Sequence, residues 1–276
     1  MSCLRTLFLA PAALVMVVLI LAPLGVVVCY SFLTRGAYGG VEWLATLDNY
    51  RRLLDPLYLE IFLRSVAVAG TTTALCLILA FPLAWFLSRA GRRKHLYLQL
   101  VLLPFWTSFL VRLYAWMFLL RDTGLINTIL LAAGWIREPL PLLYNHVAVV
   151  LGLVYGYLPF AVLPLYATLE RLDRTLLEAA ADLGARPLGT LRHVILPLAA
   201  PGIRAAALLV FIPCLGTYLV PDLLGGSKTI LVGTLIQNQF TTARDWPFGA
   251  AVSLTLMVFT VVAVLIWLRR GGDKLL

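Results

Sequence analysis

Residues 178–202 read EAAADLGARPLGTLRHVILPLAAPG, a polar, helix-favouring stretch in a chain that otherwise reads as lipid-soluble. It holds two acids, Glu178 and Asp182, the arginines Arg186 and Arg192, and His193. Just upstream, 174–183 (RTLLEAAADL) places Leu176, Leu177, Ala180 and Leu183 on one stripe, the pattern of a helix with a single apolar side. Gly184 is the residue type that takes the left-handed conformation ending a helix. Ala185, Arg186 and Pro187 then make a corner, and Pro187 suits the first position of a second short helix running through Leu191 to Leu196. Pro197 is expected to break that helix, and Pro197 and Pro201 to mark the return to the membrane. The stretch predicts a helix–turn–helix outside the lipid. An amphipathic helix lying in the headgroups would carry anchoring aromatics and a more basic polar face. A compact, alanine-rich knob is better suited to insertion into a protein groove.

Outward from this stretch, the chain is apolar. Of 276 residues, 62% are hydrophobic and 13% charged, where a soluble domain carries roughly 25% charged residues. Several runs exceed the ~20 residues a helix needs to cross a bilayer. They predict six membrane-spanning helices, over 7–33, 62–88, 96–119, 146–169, 200–220 and 249–268, in a single all-α integral membrane domain, 1–276, with the polar stretch in a loop over 170–199. The short alternating segments of a β-barrel are missing. The first run, after MSCLR, is too long for a cleaved signal peptide and reads as an uncleaved span. Cys3, Cys29, Cys76 and Cys214 show no CxxC spacing, and His95, His146 and His193 fall in three different connections, so neither a metal site nor a cofactor is expected.

Short loops rich in Lys and Arg stay cytoplasmic. One side of the membrane collects Arg5, then Arg89, Arg92, Arg93 and Lys94, then Arg171, Arg174, Arg186 and Arg192, and last Arg269, Arg270 and Lys274. That side is therefore read as cytoplasmic, with both termini and the 178–202 stretch. Most acids, among them Glu42, Asp48, Asp222 and Asp245, lie in the opposite loops. The formal charge of +9 is accounted for by topology and does not point to nucleic acid. Proline recurs within the predicted spans at Pro82, Pro104, Pro159, Pro164 and Pro213. Each removes a backbone donor, and breaks at membrane depth are tolerated where they line a cavity or are covered by protein. The pattern suggests a bundle around a pathway.

The stretch also resembles a family signature: Glu-Ala-Ala, three residues, Gly, nine residues, Ile-x-Leu-Pro, found in permease subunits of ABC importers. Glu178, Ala179, Ala180, Gly184, Leu196 and Pro197 match it, with Val194 in the Ile place. The resemblance implies a type I importer permease-like fold, in which this loop is a coupling helix docking on an ATP-hydrolysing subunit. It also implies two such cytoplasmic ATP-binding subunits, a second homologous permease chain, an extracytoplasmic solute-binding protein and a bacterial inner membrane. Three further blocks, LLPFWTSFLVRLYAW (102–116), TGLINTIL (123–130) and DLLGGSKTILVGTLIQNQF with RDWPFGAA (222–251), are similar to the spermidine/putrescine subgroup.

A flexible polycation needs carboxylates for its ammoniums and aromatic faces for cation–π contact. The candidates are Asp222 and Asp245 with Trp106, Tyr218 and Trp246, each of which could equally serve packing or an interfacial belt. Arg112 lies inside the third predicted span, where a charge usually faces the bundle interior or a water cavity. Trp116, at i+4, is positioned to stack on it. Arg112 is assigned to an intramembrane ion pair or a gate, while Arg64 and Arg204, near span ends, can snorkel to water. Gly225 to Thr229 superficially matches a phosphate loop, but Ser227 takes the place of the essential glycine, and no strand precedes it. No catalytic constellation converges, so the chain is expected not to be an enzyme. The rival readings are a permease for another small solute (iron, thiosulfate or an organic anion), a self-contained secondary transporter, and a membrane scaffold. Secondary transporters often keep acids at the midplane within broken helices; here almost all acids sit in loops.

Overall fold

The computed structural model describes residues 2–173, 175–226 and 229–271, with side chains from Val15 to Trp267 and at Arg269. Arg174, Ser227, Lys228 and Lys274, and the side chains of Cys3, Arg5 and Arg270, which entered the sequence reading, lie outside the described residues. In chain order the described residues form α1 (Ser2–Ser31), a hairpin of β1 (Leu33–Arg35) and β2 (Val41–Ala45), α2 (Asp48–Leu53) and α3 (Pro56–Arg89). Next come α4 (Lys94–Leu102), α5 (Phe109–Leu120), α6 (Leu125–Ala132) and α7 (His146–Glu170). The chain continues through α8 (Thr175–Asp182), α9 (Pro187–Thr190), α10 (Leu196–Gly216), α11 (Val232–Thr241) and α12 (Trp246–Gly271).

Among the described residues five helical stretches are long and apolar enough to cross a membrane, Pro56–Arg89, Phe109–Ala132, His146–Glu170, Pro187–Gly216 and Trp246–Trp267, and Val15–Ser31 is a shorter apolar helix. The fold is an all-α integral membrane protein of the expected type, and the details differ from the sequence reading in three places. First, the span expected over 96–119 is not one helix. After α4 the chain tightens into a 3₁₀ turn over Leu103–Trp106, runs extended through Thr107 and Ser108, and only then starts α5. Second, Pro197 does not end the helix of the polar stretch. A π turn over Leu191–Ile195 runs directly into α10, so that 187–216 is continuously helical. The π turn's wider i→i+5 bonding, seen in Leu196 N–H donating to Leu191 O, makes room for a residue that lacks the N–H of the ordinary ladder. Pro82, Pro159, Pro164, Pro201 and Pro213 likewise sit within continuous helices. Third, the three longer connections carry the β1–β2 hairpin, α2, α6 and α11, none of which the charge pattern announced.

The contacts divide into two compact units, residues 1–61 with 235–270, and residues 62–234 with 271–276. In the second, α7 is the central helix. Its Ala161, Val162, Leu165 and Leu169 are buried with Cys76, Ala80, Ala84 and Leu87 of α3 and with Ala199, Ala206 and Val210 of α10. Small residues dominate these seams because, in lipid, helices associate by close packing, with no solvent-driven hydrophobic effect between them. Gly202 shows how close: a Cβ there would lie 2.5 Å from Thr168 Oγ1 and 3.0 Å from the Pro164 carbonyl.

In the first unit the hairpin and α2 are stitched to the corner between α11 and α12. Arg35 Nη2 donates to Ala243 O at 2.8 Å, and Gly40 N–H to Arg244 O at 2.8 Å. Buried Asn49 donates through Nδ2 to the carbonyls of Ser31 and Leu33 at 3.0 and 2.9 Å. Arg244 takes a positive φ of 51°, and Gly39, at φ 89°, has the Arg244 Cβ where a side chain of its own would go.

Candidate functional site

Two places in the second unit concentrate polar chemistry in an apolar chain. The first is the loop between α7 and α10. Asp173 Oδ1 accepts from the Thr175 amide at 3.0 Å, satisfying a donor that the first turn of α8 cannot pair internally. These hydrogen bonds, from the Thr175 amide first, hold the Asp173 carboxyl below its ordinary range. At the other end Gly184 has φ 77°. Its N–H donates to Ala181 O at 2.8 Å, and the Ala185 N–H reaches back to Ala180 O at 3.0 Å, the two bonds of a Schellman ending. Arg186 then turns extended and Pro187 opens α9. The predicted helix–turn–helix is present, with α8 over Thr175–Asp182, ending one residue before the expected Leu183.

No residue of α8 or α9 is buried. Glu178, Ala179 and Gly184 face outward, Leu183 is 89% exposed and Leu188 76%. A groove of about 550 Å³ runs along one side of α8, lined by Leu177, Ala181, Ala185 and Pro187 with Trp85 and Arg89 of α3, whose guanidinium sits 4.1 Å from the Trp85 ring. Another, of about 520 Å³, lies beside Asp173 and Leu176 against Leu198 and Pro201. Leu196 is partly exposed and Pro197 exposed at the first turn of α10. Apolar leucines at a solvent-exposed tip, with grooves on both flanks, describe a surface shaped to be held by another protein.

The second place is the break in the third span. Thr107 donates to Pro104 O through both its N–H, at 3.3 Å, and its hydroxyl, at 2.7 Å, closing the end of the first half-helix. Helical bonding resumes with Arg112 N–H to Ser108 O at 3.2 Å. Trp106, expected mid-span, projects from the break and is 86% exposed. One turn into α5, Arg112 enters a box of aromatic faces. Its guanidinium lies 4.6 Å from the Phe105 ring centroid, 5.5 Å from Phe109 and 5.9 Å from Tyr155. Nε and Nη1 are enclosed with no hydrogen-bond partner among the described residues. Two expectations are corrected here. Arg112 makes no ion pair among the described residues, and Trp116 packs edge-on against Tyr155 at 5.5 Å instead of stacking on the guanidinium. In an unbroken helix Phe105 and Arg112, seven residues apart, would share a face but lie two turns from each other; with the chain broken between them the Phe105 ring covers the guanidinium directly, a closeness that helical spacing does not announce.

The remaining candidates separate. Tyr218 and Asp222 are both exposed, one turn apart, at the start of a short helical segment that ends in a π turn over Pro221–Gly225; Asp222 N–H donates to Tyr218 O at 3.0 Å. That segment packs on α7, where Gly152 leaves room for Val220 and Leu224. Asp245 and Trp246 belong to the first unit. Asp245 is 2% exposed: Oδ1 accepts from Phe248 N–H at 3.2 Å, capping α12, and Oδ2 pairs with Arg52 Nη1 at 2.9 Å. Partial burial works against the Arg52 charge, but the bond to Asp245 and its attraction outweigh this and raise the guanidinium above its ordinary range. Arg52 also lies 4.0 Å from the Phe248 ring. In this conformation Asp245 carries a matched charge, whereas Asp222 carries none that the described residues neutralise. The indole of Trp246 donates to Phe240 O at 3.1 Å. Arg52, missed by the sequence reading, carried no local signal, since its partner lies 193 residues away.

Residues 58–274 match the family described as binding-protein-dependent transport system inner membrane component. The chain is 45% identical over 257 residues to the spermidine/putrescine transport system permease protein PotB of Escherichia coli strain K12, covering 93% of this chain and 94% of that one. It is 43% identical over 258 residues to PotB of Haemophilus influenzae, covering 93% and 90%. Its backbone superposes on a chain of the bacterial alginate ABC transporter, crystallised in complex with an alginate pentasaccharide-bound periplasmic protein, with a TM-score of 0.79. That match covers 99% of this chain and 96% of the other at 16% identity, and it shows the shared fold.

Proposed function

The chain belongs to the binding-protein-dependent transport system inner membrane components, the permease subunits of ABC importers, and we propose that it serves an importer of spermidine or putrescine. Four parts complete the machine: a second homologous permease chain, two cytoplasmic ATP-binding subunits where ATP is hydrolysed, and an extracytoplasmic solute-binding protein. Both termini and the α8–α9 loop face the cytoplasm, as the Lys and Arg distribution requires. Each ATP-binding subunit grips one such loop through Glu178, Ala179, Ala180 and Gly184, with Leu196 and Pro197 setting the root of the arm. Closure of the ATP-binding subunits pushes the loops, opens the pathway to the outside and admits the solute from its binding protein. Hydrolysis resets the arrangement.

The observation that carries this reading is the exposed, doubly grooved α8–α9 loop. Trp106, Tyr218 and Asp222 are the pathway groups best placed to meet an ammonium, since they are exposed and, for Asp222, not paired among the described residues. Asp245 and Trp246 remain pathway candidates only if the Arg52 pair opens. Arg112 acts as a gate charge. The polyamine assignment is supported by the similarity to PotB; a different small solute is the second reading. Two measurements on the complete complex in proteoliposomes test these points. With the cognate binding protein present, spermidine or putrescine should stimulate ATP hydrolysis and uptake, and failure of both removes the polyamine. Glu178→Lys should insert normally yet abolish uptake; uptake equal to the parent's would refute the coupling role.

A further inference from the structure

One ion pair joins two segments 76 residues apart at the end of the second unit from which the α8–α9 loop departs. Lys94 Nζ meets Glu170 Oε1 at 2.5 Å, with the two side chains 36% and 34% exposed. Lys94 is the first residue of α4, and Glu170 the last of α7. From this pair the third span and α7 run antiparallel. Tyr97, Leu98 and Val101 pack on the core that contains Leu165 and Leu169. At the far end of the same half-helix Phe105 meets Phe160 edge-on at 5.5 Å. Thus α4 and its 3₁₀ turn are fastened to the C-terminal half of α7 at both ends. Immediately beyond lie the two extended residues, Thr107 and Ser108.

We propose that Lys94–Glu170 is a strut that carries displacement of the α8–α9 loop into the third span, with α4 moving with α7 as one body and 103–108 bending as the hinge. The idea rests on the importer reading above. Three physical points support it. A 3₁₀ turn inside a longer helix marks a hinge, and hinges are a few residues that absorb the backbone change while flanking elements stay rigid. The strut sits where the loop leaves α7, so a push on the loop reaches Glu170 before any other residue of that helix. The hinge is bordered by Trp106 and Arg112, the exposed aromatic and the buried charge of the candidate pathway. Lys94 and Glu170 are therefore positioning residues: they touch no solute and set where those two groups stand.

The test uses the complete complex and reads uptake per ATP hydrolysed. Lys94→Glu and Glu170→Lys should each lower that ratio about two- to fivefold, the range an ion pair of this exposure can control. The double reversal should restore it, and Lys94→Arg should keep it. Unchanged single variants, or a double variant as poor as the singles, would overturn the strut. A second measurement needs no transport. Spin labels at Leu100 and Phe118, which are exposed on either side of the break, should change separation when nucleotide binds, while labels at Leu100 and Ala167 should not. The opposite pattern also overturns the proposal. A parent complex that imports no polyamine, yet shows this distance pattern, refutes the solute assignment and leaves the strut standing.

Discussion

Arg112 is the residue whose surroundings carry most information. A guanidinium with two enclosed donors and no hydrogen-bond partner among the described residues costs stability, and an ionisable group within a membrane segment points to a functional role. Three aromatic faces within about 6 Å soften the loss by cation–π attraction, but they accept no N–H bond of ordinary strength. Methionine has a similar reach and packs well against aromatic rings. Arg112→Met should therefore leave the thermal melting of the solubilised protein unchanged or raise it, while uptake by the complex falls. A melting point several degrees lower would show instead that the charge supports the fold. Asp245 teaches the reverse lesson. A carboxylate flanked by Arg244 and Trp246 reads in sequence as a cation site, yet its two oxygens are taken by a helix cap and by Arg52.

At the scale of elements, α8 is a helix of eight residues with no buried side chain, and such a short helix is marginal without its ends secured. Its ends are secured, by Asp173 and by the Gly184 turn. Because hydrogen bonding depresses the Asp173 pKa in the folded state, its contribution is present above the ordinary carboxylate value and lost as pH falls through the lower folded value. Asp173→Ala should speed amide exchange at Thr175 to Leu177 at neutral pH, with rates corrected for intrinsic pH effects. That difference from the parent should shrink as the pH falls below about 4 and vanish only once the pH lies below the depressed folded value. A difference that persists in acid would mean the carboxylate is not what holds the turn. The loop itself is legible in the amino-acid sequence, because capping residues and a left-handed glycine act within a few positions. The break at 103–108 is not. In sequence Pro104 looks like Pro82 or Pro164, yet those two stay inside continuous helices. What sets Pro104 apart is the tertiary setting of Phe105 against Phe160 and the Thr107 hydroxyl on the Pro104 carbonyl.

At the scale of the whole molecule, a permease subunit works with ATP-binding partners, and the exposed tip of the α8–α9 loop is the surface on which to test that contact. Leu183 and Leu188 flank the Gly184 turn at 89% and 76% exposure. Replacing exposed side chains normally changes stability by no more than about 0.5 kcal/mol, so Leu183→Ser with Leu188→Ser should insert and melt like the parent. If the tip is gripped by the ATP-binding subunit, the pair should weaken its association about tenfold, measured on permease held in nanodiscs. Unaltered association would move the grip elsewhere on the loop.

The amino-acid sequence alone determined the membrane class and the helix–turn–helix between α7 and α10. Each rests on a short-range property: hydropathy summed over about 20 residues, a cap, or a glycine free to turn left-handed. Tertiary structure alone decided that the third span is broken, that Asp245 answers to Arg52, that Arg112 sits among Phe105, Phe109 and Tyr155, and that Lys94 is tied to Glu170. Those outcomes depend on which groups from distant segments the packing brings together. In a medium that offers no hydrogen bonds, a buried charge is defined by its neighbours, and they are chosen by packing across the bundle instead of by position along the chain.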